Sequence, residues 1–362
     1  MRFKHSIVGS RRVLRWLYGK IRTILPSSAQ IYLSRLIFRF GGGPRIYVDV
    51  RQHPRDGLAR GVATFSADFE MAWAWQYAKG LDEDCVTIGL RERRQVPQIL
   101  EALDAFGIPV TWATVGHLFL KDCRRGHEGL AHAALARPTH FESRYLAFTE
   151  GDWFQHDPCG DVNSAPAWYA PDLVEAVLRA RVGHEMACHT FSHVSFGRCT
   201  PAVAEAELDA CLAAMAPYGL RPKTLVFPTN EAGCIDAVQK KGFSIVRGLH
   251  PAQGVVSLPI RRPDGLWCVH DSSGIEVHGA AWNLKERLAR LKAFVDAAAS
   301  SRMAAHFWFH PSIQTAQLHE VLLPLLRYCA GLSDEGVIDI LTMEQLVHAT
   351  GQALRSSEGR AP

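Results

Sequence analysis

The sequence predicts an α/β protein built on parallel strands, either a barrel or a doubly wound sheet. Its 362 residues, 48% hydrophobic and 21% charged, can bury a full core and are too apolar for disorder. Short β-rich runs alternate with helical patterns from "GVATFSAD" (61–68) to "GVIDILT" (336–342). Strand followed by helix, repeated, requires parallel strands with covering helices, and in both architectures the chemistry gathers beyond the C-terminal strand ends.

Residues 1–45 come first as a basic amphipathic segment. No acidic residue precedes Asp49, whereas Arg2, Lys4, Arg11, Arg12, Arg15, Lys20, Arg22, Arg35, Arg39 and Arg45 are all basic. Val13, Leu14, Leu17, Ile21, Ile24 and Leu25 recur at helical spacing between these charges. Such a segment suits peripheral contact with an anionic membrane surface, or packing on its own domain or a partner. The rest of the chain has no basic stripe with interleaved aromatics, which argues against nucleic acid.

Gly41-Gly42-Gly43 and Pro44 read as a linker to the main domain, 46–350. There "GVATFSAD" is a strand, 95–107 a helix, 108–116 a strand, and 171–183 a helix with Pro171 early and Gly183 as its stop. Helix 202–219, strand 223–228, helix 232–242, strand 243–248, helix 284–301, strand 303–310, helix 315–331 and strand 336–342 continue the alternation. Residues 351–362 read as a flexible tail. Nine cysteines without a CxxC pair argue against a disulfide framework and a zinc ribbon, so reduced thiols and a cytoplasmic location are expected. The chain shows neither a secretory signal nor a membrane-spanning apolar run.

Titratable groups collect at the predicted strand ends. Asp68 and Glu70, two apart, face the same side if their strand continues, about 6.5–7 Å from each other; one can hold a metal while the other reaches its water. The competing reading is a carboxylate pair on a solvent face. His189 and His193 in "GHEMACHTFSH" converge if the backbone turns helically after Cys188, and neutral imidazole is a preferred zinc ligand. With 17 histidines the spacing alone is weak evidence. Cys188 reads as a buried thiol in preference to a ligand.

The order "TFSADFE", "GHEMACHTFSH", "VFPTN", "FWFHPS" resembles the polysaccharide deacetylases, the NodB-homology group or carbohydrate esterase family 4, from about residue 60 to about 345. The resemblance implies a distorted (β/α) barrel and removal of acetyl groups from N-acetylated sugars with a divalent metal, zinc first. It implies that His189, His193 and Glu70 are ligands, Asp68 the general base and His310 the general acid, with Asp68 and Glu70 open to exchange. An arginine that commonly stands two residues before the third motif's proline is Val226 here, ahead of Pro228, so Thr229 and Asn230 are expected as substitutes unless an arginine comes from elsewhere. Trp168 and Tyr169 are placed as sugar-stacking candidates, with core packing as the alternative. A glycan in bacterial surface-polysaccharide or lipid-linked synthesis, at the inner face of the plasma membrane, follows as the expected setting. An allantoinase-like hydrolase and a catalytically silent sugar-binding scaffold are the competing readings.

Overall fold

The computed structural model describes residues 46–49, 58–126, 128–249, 254–276 and 283–358. The basic segment 1–45, with its glycine linker, lies outside the described residues. The chain runs β1 (Tyr47–Asp49), β2 (Gly61–Phe69), α1 (Cys85–Phe106), β3 (Thr111–Thr114), β4 (Phe141–Glu142), β5 (Ala147–Phe148), α2 (Pro171–Arg179) and β6 (Glu185–Cys188). It continues through α3 (Pro201–Met215), β7 (Thr224–Val226), α4 (Ile235–Lys240), β8 (Ile245–Arg247), β9 (Val255–Ser257), β10 (Ile260–Arg261), β11 (Trp267–Val269) and β12 (Ser273–Gly274). The last elements are α5 (Leu284–Ser301), β13 (Ala304–Phe309), α6 (Leu323–Asp334), β14 (Ile338–Ile340) and α7 (Met343–Glu358).

The main sheet takes its strands in the order β10-β11-β8-β7-β6-β3-β2-β13-β12, with β14 paired to β2. Every pair is parallel except β10 with β11. The expected distorted (β/α) barrel is therefore an open, curled one whose strand path ends at β10 and β12 among the described residues. β1 pairs with β9, and β4 with β5, in separate two-stranded sheets.

β2 is buried along all nine residues, as a central parallel strand covered on both faces must be. Helix α5 approaches its first residue so closely that a Cβ on Gly61 would stand 2.4 Å from the Ala298 carbonyl oxygen, so glycine is required there. Because β2, β6, β7, β8 and β13 run the same way, their C-terminal ends share one rim. That rim receives Asp68, His189, Pro228, Arg247 and His310.

Several boundaries differ from the sequence expectation. α1 starts at Cys85 instead of 95, because Asp84 caps it by accepting from the Thr87 N–H at 2.9 Å, and Pro97 is tolerated inside the helix. α2 ends at Arg179, short of Gly183, where Ala180 turns extended. Residues 351–358, expected in a flexible tail, continue α7, and the remaining residues 359–362 lie outside the described set. The short strands β9 to β12 have no counterpart in the sequence reading, since two- and three-residue runs carry no usable periodicity. Among the described residues no helix is long and apolar enough to cross a membrane.

Candidate active site

At the rim, β2 delivers Asp68 and Glu70 to the same buried space; the two are 4% and 2% exposed. An Asp68 Oδ2 accepts from the Arg247 guanidinium, and Arg247 Nη1 donates to Ser66 Oγ at 2.7 Å. The Ser66 hydroxyl then donates to His306 Nε2 at 2.8 Å, because His306 Nδ1 faces the His270 carbonyl at 3.1 Å and must carry the proton there. Burial, with the Arg247 charge adding to it, pushes His306 down to about 3, which keeps the ring neutral and the chain of bonds in that direction. Asp68 Oδ1 is buried with no hydrogen-bond partner among protein atoms.

The two histidines converge, though not by a helical turn. Thr190 and His193 have φ of 59° and 64°, so the segment after β6 is a left-handed turn. A β-branched residue at positive φ is strained and persists only where its surroundings impose it. Buried Glu207 on α3 does so, its Oε2 accepting from the N–H groups of Phe191 at 2.9 Å and Ser192 at 2.8 Å and its Oε1 from the Ser192 hydroxyl at 2.7 Å. From the other side, Gly116 and His117 donate their N–H groups to the carbonyls of Thr190 and Phe191 at 2.8 and 2.9 Å. Gly116 is itself required, since a Cβ there would stand 2.9 Å from Cys211 Cα.

His189 Nε2 and His193 Nε2 both point at Glu70 Oε1, at 2.8 and 3.1 Å. His189 Nδ1 lies 2.8 Å from the Val226 carbonyl, which can only accept, so Nδ1 carries a proton and Nε2 is the nitrogen turned to the carboxylate. A carbonyl that holds the far nitrogen's proton leaves Nε2 free to bind a metal, and this is the usual support of a metal-bound imidazole. Burial likewise pushes His193 below its ordinary value, against the pull of Glu70. Burial also raises the Glu70 carboxyl, but His310, His193 and His189 together outweigh it and hold Glu70 well below the carboxylate range. The three ligand atoms lie within 4.8 Å of one another, so Glu70, His189 and His193 fit a divalent ion.

His310 completes the rim. Its Nε2 lies 3.5 Å from Glu70 Oε2, its Nδ1 3.0 Å from both Glu276 oxygens, and its ring rests edge-on against Trp75 and Trp308. Burial would lower its pKa, but the carboxylates of Glu276, Glu70 and Asp68 override that and raise it to about 10. The imidazole is therefore protonated through neutral pH.

Asp68, Glu70, His189, His193 and His310 thus meet in one space, whereas Trp168 and Tyr169 do not join them. Both are core residues, 5% and 0% exposed: the Trp168 carbonyl accepts from Trp73 Nε1 at 3.1 Å, and the Tyr169 hydroxyl lies 3.0 Å from Asp157 Oδ1. No ring face is left for a sugar to stack on. The contact expected of Thr229 and Asn230 is made by Arg247, supplied from β8. Those two follow Pro228 in a left-handed turn, φ 55° and 54°, with the Thr229 hydroxyl donating to the Pro228 carbonyl at 2.7 Å. Sequence reasoning missed Arg247, Glu207 and Glu276. The one available signal was an arginine ending an apolar strand, in "FSIVRG". Glu185, within the histidine motif, serves the opposite end of the sheet, accepting from Thr111, Thr224 and the Glu344 N–H.

No family model and no curated protein matches the chain. Solved structures do. A protein from Pseudomonas aeruginosa PAO1 named as a polysaccharide deacetylase superposes with a TM-score of 0.57 at 12% identity, covering 87% of this chain and 97% of its own. One from Mycobacterium smegmatis, named likewise, gives 0.56 at 15% identity, covering 83% and 93%. The Puue allantoinase gives 0.53 at 14%, covering 80% and 89%. The chain has the fold these proteins share.

Proposed function

We propose that this protein is a hydrolase of a non-peptide C–N bond, removing the acetyl group from an N-acetylated sugar with a divalent metal, zinc first. The observation that carries this is the Glu70, His189, His193 cluster set between Asp68 and His310. Bound there, the ion would polarise the amide carbonyl and lower the pKa of its water toward neutrality. Asp68, oriented by Arg247 and with Oδ1 open, takes the proton of the attacking water. His310, protonated by its carboxylate neighbours, gives a proton to the departing amine, without which the amine is a poor leaving group. Glu70 binds; Asp68 moves the proton.

The expected setting is bacterial surface-polysaccharide or lipid-linked glycan synthesis at the cytoplasmic membrane face, with the basic residues 1–45 as the peripheral contact. An allantoinase-like substrate is the second reading, favoured by the fold shared with the Puue allantoinase. Elemental analysis of the wild type beside His189→Ala/His193→Ala, followed by acetate release from N-acetylated glycans, tests the proposal. We expect metal lost in the double variant, and turnover lowered about 10²- to 10⁴-fold in both Asp68→Asn and His310→Ala. Full turnover in either single variant would overturn its role, and ureide hydrolysis without acetate release would favour the second reading.

A further inference from the structure

A second cluster of metal-binding side chains stands outside the rim. His117 comes from the turn after β3, and Cys123, His132 and Asp157 from the long excursion between that turn and α2. Among the described residues of 120–170, the named strands are the two-residue β4 and β5, with isolated bridges at Asp122–Asp161 and Leu146. A stretch that long with so little regular structure needs other cross-links to hold its shape.

The geometry is tight. His117 Nε2 and His132 Nε2 are 3.1 Å apart, and Asp157 Oδ2 lies 3.2 Å from the first and 3.0 Å from the second. Cys123 Sγ is 3.4 Å from the same oxygen, and all four ligand atoms fall within 4.8 Å of one another. With Asp157 ionised, two imidazole nitrogens and a thiol crowd onto a single carboxylate oxygen. A divalent cation would bind all four groups at once, with each ligand atom turned toward it. Tetrahedral zinc, with bonds of about 2.0–2.3 Å, spaces its ligand atoms about 3.3–3.6 Å apart, within a few tenths of an ångström of the separations between the two imidazoles and from Asp157 Oδ2 to each of the other three ligand atoms.

We propose that His117, Cys123, His132 and Asp157 form a second, structural zinc site. On the Asp157 side the outer contacts fit that role. The other Asp157 oxygen accepts from the Cys159 N–H at 2.8 Å and lies 3.0 Å from the Tyr169 hydroxyl, which holds the carboxylate in place. His132 is 12% exposed, which leaves a path for the ion. The site closes the excursion onto the turn that grips Thr190 and Phe191, and the His117 and His132 rings both pack on Phe191, at 5.5 and 5.1 Å between centroids. The second ion would thereby stiffen the loop between His189 and His193. A four-ligand site with no open position fits support and not turnover.

The site stands on its own geometry, and only the second equivalent counted in the test rests on the metal proposed at the rim. The competing chemistry is a disulfide, because Cys159 Sγ lies 3.0 Å from Cys123 Sγ. The experiment is a cobalt(II) titration of the metal-stripped full-length protein, with zinc content measured in parallel. The wild type is expected to bind about two equivalents of zinc and to show a thiolate-to-cobalt charge-transfer band. Cys123→Ser and His132→Gln should each lose about one equivalent, and Cys123→Ser the band, while His189→Ala/His193→Ala loses the other equivalent and keeps the band. In the unsubstituted protein, zinc should shield Cys123 from alkylation and a chelator should expose it, read by peptide mass, which covers a variant that fails to fold. A Cys123–Cys159 disulfide, or Cys123 alkylated equally with and without zinc, would overturn the proposal.

Discussion

Glu207→Ala isolates what holds the two rim histidines together. The carboxylate receives two backbone N–H groups and one hydroxyl from the strained turn, and burial pushes its pKa up, so nothing solvent-borne replaces it cheaply. Orphaning a buried donor costs about 1–3 kcal/mol, so the two N–H groups alone predict a loss of about 2–6 kcal/mol. The turn also carries both imidazoles, and removing such supporting contacts typically weakens metal binding about 10- to 100-fold. Glu207→Gln keeps one carbonyl oxygen for the two N–H groups and turns its amide to Ser192, so it should fall between wild type and alanine on both scales. Urea unfolding with and without a chelator gives the first quantity, and competition against a chromophoric zinc chelator gives the second. An alanine variant within about 0.5 kcal/mol and about twofold of wild type would show that the turn is held by something else.

Three further outcomes follow from the same contacts. Arg247→Met leaves Asp68 buried without its partner, and such a break costs about 3–5 kcal/mol, so the urea midpoint should fall sharply together with turnover. His184 accepts from the Val110 N–H at 3.1 Å, and burial lowers its pKa to about 4 against 6.5 ordinarily. Its neutral form is the one the fold favours, so stability is full above about pH 6.5 and declines as pH falls toward 4, by roughly 3 kcal/mol at the limit; His184→Asn should flatten that part of the profile. His310 must be protonated to act as an acid, so activity should fall on the alkaline side, and Glu276→Gln, which removes the largest charge raising it, should move that limb to lower pH in kcat/KM profiles.

The acids and histidines of the rim were legible because each ends a predicted strand or follows one closely, and parallel strands bring such residues to one edge. Arg247 was not, because nothing local marks which strand-end arginine will be buried against an acid 179 residues away. Glu207 looks like any carboxylate on a helix until the turn it grips is placed beside it. The left-handed turn at Thr190 runs against that residue's own preference, so tertiary contacts decide it and no local pattern announces it. Trp168 and Tyr169 illustrate the reverse, since aromatic rings ahead of a helix serve a sugar site and a core equally well and only burial separates the two. The His117, Cys123, His132, Asp157 cluster escaped because its spacings fit none of the common zinc signatures.

The pairing of β2 bears on how the protein is made. Along one edge β2 meets β13, and along the other it meets β3 and then β14, the last strand among the described residues. Ser66 and His306, bonded across this seam, are 240 residues apart. At about 5–20 residues per second, the acid-bearing strand leaves the ribosome about 12–48 s before its partner on β13 exists. Through that interval its apolar edge is open, a target for chaperones and for neighbouring nascent chains alike. A message truncated before residue 304 would still encode Asp68, Glu70, His189 and His193, yet its product would be an aggregation-prone fragment, because the ligands are written early and the sheet that aligns them is finished last.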